Sequence, residues 1–303
     1  MNLASILNST LEQTTPILLA ALAALVTQRA NILNVAVEGM MLVAAFIAIA
    51  VGTITGSATL AALAGVAAAV GTAQLLSLMT LRFHADFIVA GLGINLLAAG
   101  GTLFLLERVY RSPGGLRPTT FPDLWQIPPA SVAWMGGFGR VLAGQSIVML
   151  LALLAIPAVW AFLYRTPVGS SLRAAGEDPD AARSAGISVV RMKALAVTIS
   201  GLLGGLGGVH LAMAKLQFFL PDMTSGRGFI GLAASLFGGG LPWPTAAAAA
   251  LFGFFGALGD RLQAFAIPAQ FVLMLPYAAA ILGLVFARWR VLRRNRPAPV
   301  ETP

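Results

Sequence analysis

The feature that most limits what this chain can fold into is a run of 43 residues, 39–81, without one charged side chain. A helix rises about 1.5 Å per residue, so about 20 residues cross a hydrocarbon core roughly 30 Å thick. Residues 39–81 therefore hold two crossings, turned near 53–57. Further charge-free windows lie at 87–106, 141–164, 194–214 and 262–287, with a short first one at 14–28. The window 228–259 is too long for one straight helix. Gly238, Gly239 and Gly240, followed by Pro242 and Pro244, divide it and leave 228–241 short, broken or re-entrant. The expectation is an all-α, polytopic membrane protein, one transmembrane domain over 1–303, with about eight crossings and at most about ten.

Composition agrees. Only 10% of residues are charged and 58% are hydrophobic, against about 25% charged in a soluble domain, so a water-soluble globule is excluded. The absence of cysteine removes disulfides, thiol nucleophiles and thiolate metal sites. His84 and His210 match no metalloprotease spacing, so no metal ligand set and no catalytic residue is expected. No GxxxxGK[ST] loop is present, so the chain is expected to be no enzyme and to carry no ATPase site of its own.

The formal charge of +8 would suggest nucleic acid in a soluble protein. Here Arg288, Arg290, Arg293, Arg294 and Arg296 follow an apolar run, which reads as positive-inside anchoring, with no nucleic-acid partner. No lysine or arginine precedes Arg29, so a signal-peptide n-region is missing and the first apolar segment is expected to stay. Residues 165–193 carry five positive and three negative groups, and the tail 288–303 five and one. Both belong in the cytoplasm by charge, with Arg29 and Arg82, while 107–140 falls outside despite its four arginines. Trp160, Tyr164 and Trp289 then sit at cytoplasmic helix ends and Tyr110 at an outer one.

The most informative polar stretch is LRAAGEDPDAARSAGISVVRMK, 172–193. Asp178 suits an N-cap, Pro179 the first helical position, Asp180 the first turn and Gly186 the C′ position, which predicts a short helix over 179–185. Two turns bury little surface, so the helix should dock, either on its own protein or on a partner.

Residues 172–197, with G-E-D-P then A-A-x-x-A-G-I, resemble the cytoplasmic coupling loop of permease subunits of ABC importers for branched-chain amino acids, simple sugars and nucleosides. Residues 29–45, RANILNVAVEGMMLVAA, are similar to that family's N-I-G-x-E-G-M segment, departing at Val35, Ala36 and Val37, where a glycine is more usual. T-S-G-R-G-F-I within 221–238 resembles a further block, and FHADFIVAGLGINLL, 83–97, resembles the nucleoside branch in particular. The likeness runs over about 16–287.

It implies a multi-pass subunit of a bacterial inner membrane that pairs with a second, related permease, cytoplasmic ATPase subunits and an extracytoplasmic solute-binding protein. ATP and magnesium would bind the ATPase, with no cofactor in this chain. Gly176, Glu177, Asp178, Pro179, Ala182 and Gly186 are implied as coupling positions in a 165–193 loop. The solute would be a nucleoside, or else a simple sugar or branched-chain amino acid.

Four residues are pathway candidates on their own chemistry. Glu38 is an acid at the start of a span, and the alternative reading has it near the cytoplasmic boundary, capping its helix or pairing with Arg29. Asn34 flanks it. Asn95 lies mid-span and can bind a solute or bridge helices equally well. His210 lies near the outer end of its span, where an interfacial role is the commoner one. Gly201, Gly204, Gly205 and Gly208 form small-xxx-small pairs, for close packing or for sliding. The alternative function is a secondary transporter or channel, which would need paired intramembrane acids or inverted repeats.

Overall fold

The computed structural model describes residues 3–262 apart from 113 and 123. The expected last span, 262–287, and the tail, 288–303, lie outside those residues. Among the described residues the chain is helical without a strand, and the only pairings of that kind are isolated bridges, Leu116 with Phe219 and Gln126 with Ser146.

Helix α1, Leu3–Arg29, is longer than the 14–28 window, because Glu12 interrupts the charge-free run without interrupting the helix. It is the core of the bundle: residues 19–26 have no solvent exposure at all, as a helix apolar on every face requires. Helix α2, Val37–Thr55, turns at Gly56 (φ +64°) into α3, Ala58–Ser77, capped by the Ser57 hydroxyl and prolonged by a π turn, Leu78–Arg82. Asp86 caps α4, Phe87–Arg108, by accepting from the amides of Ile88 and Val89.

Two short pieces, α5 (Pro129–Val132) and α6 (Gly136–Leu142), precede α7, Ile147–Arg165. Then come α8 (Pro167–Glu177), α9 (Pro179–Ser184) and α10 (Val189–Leu211), the last ending in a π turn, Ala212–Leu216. Helix α11, Arg227–Phe237, and α12, Pro242–Leu262, divide at the expected glycines. Six described helices are long and apolar enough to cross a membrane: α1, α2, α3 with its π turn, α4, α7 and α10. Leu60, Leu63, Leu96, Leu97, Phe104 and Leu154 lie exposed on α3, α4 and α7, a surface that water would not tolerate and lipid does.

The α10 glycines are packing sites. A Cβ on Gly201 or Gly205 would come within 2.6 and 2.8 Å of Ala73 and Ala69 of α3, and one on Gly208 would strike the Met41 carbonyl of α2. Helices α2 and α3 thus meet α10 nearly backbone to backbone, the small-residue mode of association in lipid.

Candidate functional site

Polar assemblies interrupt the apolar bundle, and two of them hold most of the expected site residues. The first lies at the end of α1 that carries Arg29. Helix α8 begins on clear signals that the reading of 165–193 as a loop with one short helix overlooked: the Thr166 hydroxyl accepts from the Gly169 amide at 3.0 Å, and Pro167 occupies the first position. Asp178 ends α8 and starts α9, its Oδ1 accepting from the amides of Asp180 and Ala181, both at 3.0 Å. Arg183 pairs with Asp180, and Gly186 turns the chain out at φ +81°. The predicted helix is therefore present, shortened by one residue.

The six coupling candidates divide by exposure. Glu177, Asp178 and Gly186 are exposed and Pro179 is half-buried. Ala182 is buried against Ala175 and Val189, so it is the foot of α9 and not its outer face. Gly176 is buried where a Cβ would strike the Arg29 carbonyl, so only glycine lets α8 sit on the turn that ends α1. Around this seat Arg29 and Arg173 lie against the Tyr164 ring, at 5.9 and 4.7 Å from its centroid. The Arg29 Nε donates to the Gly240 carbonyl at 2.7 Å. The α8–α9 platform is thereby tied to α1, to α7 and to the turn between α11 and α12. Sequence gave no sign of Arg29, Tyr164 and Arg173 as a group, since local spacing carries no information on contacts so far apart in the chain.

The second assembly lies inside the bundle. The chain runs back from Arg29 without helical structure and starts α2 beside Asn95, about 12 Å along α4 from Phe87. Asn95 Oδ1 accepts from the Gly39 amide at 2.8 Å, and its Nδ2 donates to the Val35 carbonyl at 3.0 Å. Asn34 Oδ1 accepts from the Ala36 amide, and its Nδ2 donates to Ser200 Oγ on α10 at 2.9 Å. Irregular backbone inside the bundle needs such partners, because no water is there to supply them.

Glu38 accepts from the amides of Gly226 and Gly228, at 2.8 and 2.6 Å. It caps another helix, α11, not its own, and it does not pair with Arg29, whose donor goes to Gly240. Helix α11 runs only 11 residues, about 16 Å, from Glu38 at one end to the Arg29 level at the other. It is a half-span, reached through a non-helical descent in which Phe219 packs edge-on against Phe46 at 5.2 Å. Asn34, Glu38 and Asn95 are thus one cluster.

His210 stands apart, at the opposite end of the bundle. Pro16 has no N–H, which leaves the Glu12 carbonyl without its helical partner. The His210 ring hydrogen-bonds that backbone group, and its Nδ1 meets Ser146 Oγ at 2.9 Å. Among the described residues no group of His, Asp and Glu could hold a metal ion.

Among the described residues, six helices long and apolar enough to cross a membrane, with a half-helix capped at depth and a two-helix platform at one end, make this a polytopic membrane protein. The chain belongs to the family of permease components of the branched-chain amino acid transport system, whose model matches residues 6–287. An ABC transporter permease of Haloferax volcanii, provisionally named for glucose, is 35% identical over 87% of this chain and 79% of its own. A guanosine ABC transporter permease of Bacillus subtilis is 35% identical over 93% and 91%, and a nucleoside one of Lactococcus lactis 32% over 89% and 88%. No solved structure matches. The chain is therefore a multi-pass membrane permease subunit of an ABC importer, and the alternative of a secondary transporter or channel falls away.

Proposed function

We propose that this permease moves a nucleoside, delivered by an extracytoplasmic binding protein, and that α8 and α9 are the surface on which a cytoplasmic ATPase acts. The observation that carries the second half is α9 itself: its foot is buried, its ends are capped, and Glu177, Asp178 and Gly186 are exposed around it. In this reading Gly176 and Ala182 seat the platform, Pro179 sets its angle, and the exposed residues meet the partner. Displacement of α8 would pass through the Arg29 turn to Gly240, and so to the half-helix α11 that Glu38 holds.

The Arg29 end is cytoplasmic in this account, in keeping with Arg29, Arg82, Arg165, Arg173, Arg183, Arg191 and Lys193 collecting there. The tail, 288–303, is assigned to the same side. Asn34, Glu38 and Asn95 frame the pathway at depth, and His210 lies toward its outer entrance. ATP and magnesium belong to the ATPase, and this chain has no ATPase site. A second, related permease completes the pathway. The nucleoside assignment is supported by the guanosine and nucleoside permeases among the relatives and by residues 83–97.

Uptake tests it. Cells expressing this gene with its partner subunits should take up labelled guanosine, cells lacking it should not, and excess unlabelled glucose or leucine should leave uptake unchanged. Competition by glucose would move the solute to the sugars, and gene-independent uptake would remove the reading.

A further inference from the structure

At the Arg29 end of the bundle, α3 and the start of α10 leave a groove of about 750 Å³ between them. Gly201 and Gly205 bring the two helices together at Ala73 and Ala69, and Gln74 Nε2 donates to Thr198 Oγ1 at 2.6 Å just below that contact. From there to the helix ends the walls are apolar, with Leu75, Leu78 and Leu81 on one side and Val190 and Ala194 on the other. Leu75, Leu78 and Val190 are exposed. The groove follows α3 and its π turn from Gly71 to Arg82, about 16 Å of helix. That is half of a hydrocarbon core roughly 30 Å thick, the depth of one leaflet. A helix crossing the membrane would need a seat about twice as long.

The mouth of the groove is basic. Arg82 lines it, and Arg191 and Lys193 stand beside the lining positions on the first turns of α10. Among the described residues none hydrogen-bonds or pairs with these three side chains. Three of the acids at this end are engaged elsewhere: Asp86 caps α4, Asp178 caps α9, and Asp180 pairs with Arg183. An apolar slot one leaflet deep, with cations at its mouth and no carboxylate on them, complements a lipid that carries a negative headgroup. With Arg29 on the cytoplasmic side this is the cytoplasmic leaflet, where anionic lipids make the surface negative.

We propose that this groove binds an anionic phospholipid, with one acyl chain along Leu75, Leu78 and Leu81 and the phosphate on Arg82 and Arg191. The site depends on the chain being embedded in a membrane. It depends on neither the solute nor the ATPase, so it stands or falls apart from the transport reading.

Photo-crosslinking tests it. The complete transporter is placed in nanodiscs of phosphatidylcholine that hold a small fraction of phosphatidylglycerol with a diazirine on one acyl chain, and captured residues are mapped by mass spectrometry. Capture is expected at 75–81 and 190–194. Excess unlabelled phosphatidylglycerol should suppress it, and glycerol phosphate should not. Leu96 and Leu97, exposed on α4, report ordinary lipid contact and should be captured from either headgroup alike. Relative to that signal, Arg82→Gln and Arg191→Gln should each lower capture at the groove about fivefold, while Arg82→Lys should keep it. The α4 signal is read in the same molecules, so a loss of folded protein lowers both and leaves their ratio unchanged. No capture at the groove, as when a second permease covers it, would overturn the proposal. So would equal capture from a phosphatidylcholine probe, full competition by glycerol phosphate, or an unchanged ratio in the Arg82→Gln, Arg191→Gln double variant.

Discussion

Glu38 at the start of α2 accepts the Gly228 amide at the start of α11 at 2.6 Å, across 190 residues of sequence. A second bond from Gly226 to the other carboxylate oxygen makes the grip two-pronged. Gly228 has to be glycine for this approach, since a Cβ would lie 2.6 Å from the Glu38 backbone nitrogen. One carboxylate thus fixes where a half-helix begins inside the membrane, and it sits where the positive ends of two helices meet.

Replacing Glu38 by leucine should leave the buried Gly228 amide without an acceptor, at about 1–3 kcal/mol, and the half-buried Gly226 amide without one at a smaller cost. Glu38→Gln retains one acceptor and should cost less. Thermal denaturation of the detergent-purified protein should rank wild type above Gln above Leu; a Leu variant as stable as wild type would contradict the role given to this residue.

The α10 glycines give a paired test. Gly208→Ala forces a Cβ onto the Met41 carbonyl and should cost about 1–3 kcal/mol or more, seen as a fall in folded membrane protein. Gly204→Ala meets nothing closer than 3.7 Å and should be accepted with normal yield. Equal yields would mean that α10 does not pack as described.

How much of this was legible depended on range. The glycine break at 238–240, the turn near Gly56 and the Asp178–Pro179 start of α9 are local signals, and each appears where the residues place it. Charge-free windows found the spans but misjudged ends, because Glu12 sits comfortably inside α1 and because uncharged residues 143–146 precede α7 without belonging to it. Glu38 looked like a boundary residue because sequence carries no depth. The contacts of Asn95 on α4 and of Asn34 with Ser200 on α10 show that α2 starts well inside the bundle. Ala182 entered as a coupling position through the resemblance alone, and a six-residue helix has no periodicity from which to tell that its side chain faces Ala175 and Val189.

Topology follows from the side assigned to Arg29. Ser131 and Ser184 are both exposed and lie at opposite ends of the bundle. In intact cells an impermeant thiol reagent should label Ser131→Cys and spare Ser184→Cys until the membrane is opened. The reverse pattern would invert the orientation.

The most direct test of the central claim is the ATPase response of the reconstituted transporter. Glu177→Arg changes an exposed side chain at the junction of α8 and α9, where a surface substitution typically costs within about 0.5 kcal/mol. In proteoliposomes holding the permeases, the ATPase and solute-loaded binding protein, the account predicts that this variant assembles at wild-type level yet loses the stimulation of ATP hydrolysis by loaded binding protein, together with solute uptake. Full stimulation and full uptake from the same assembled variant would contradict it.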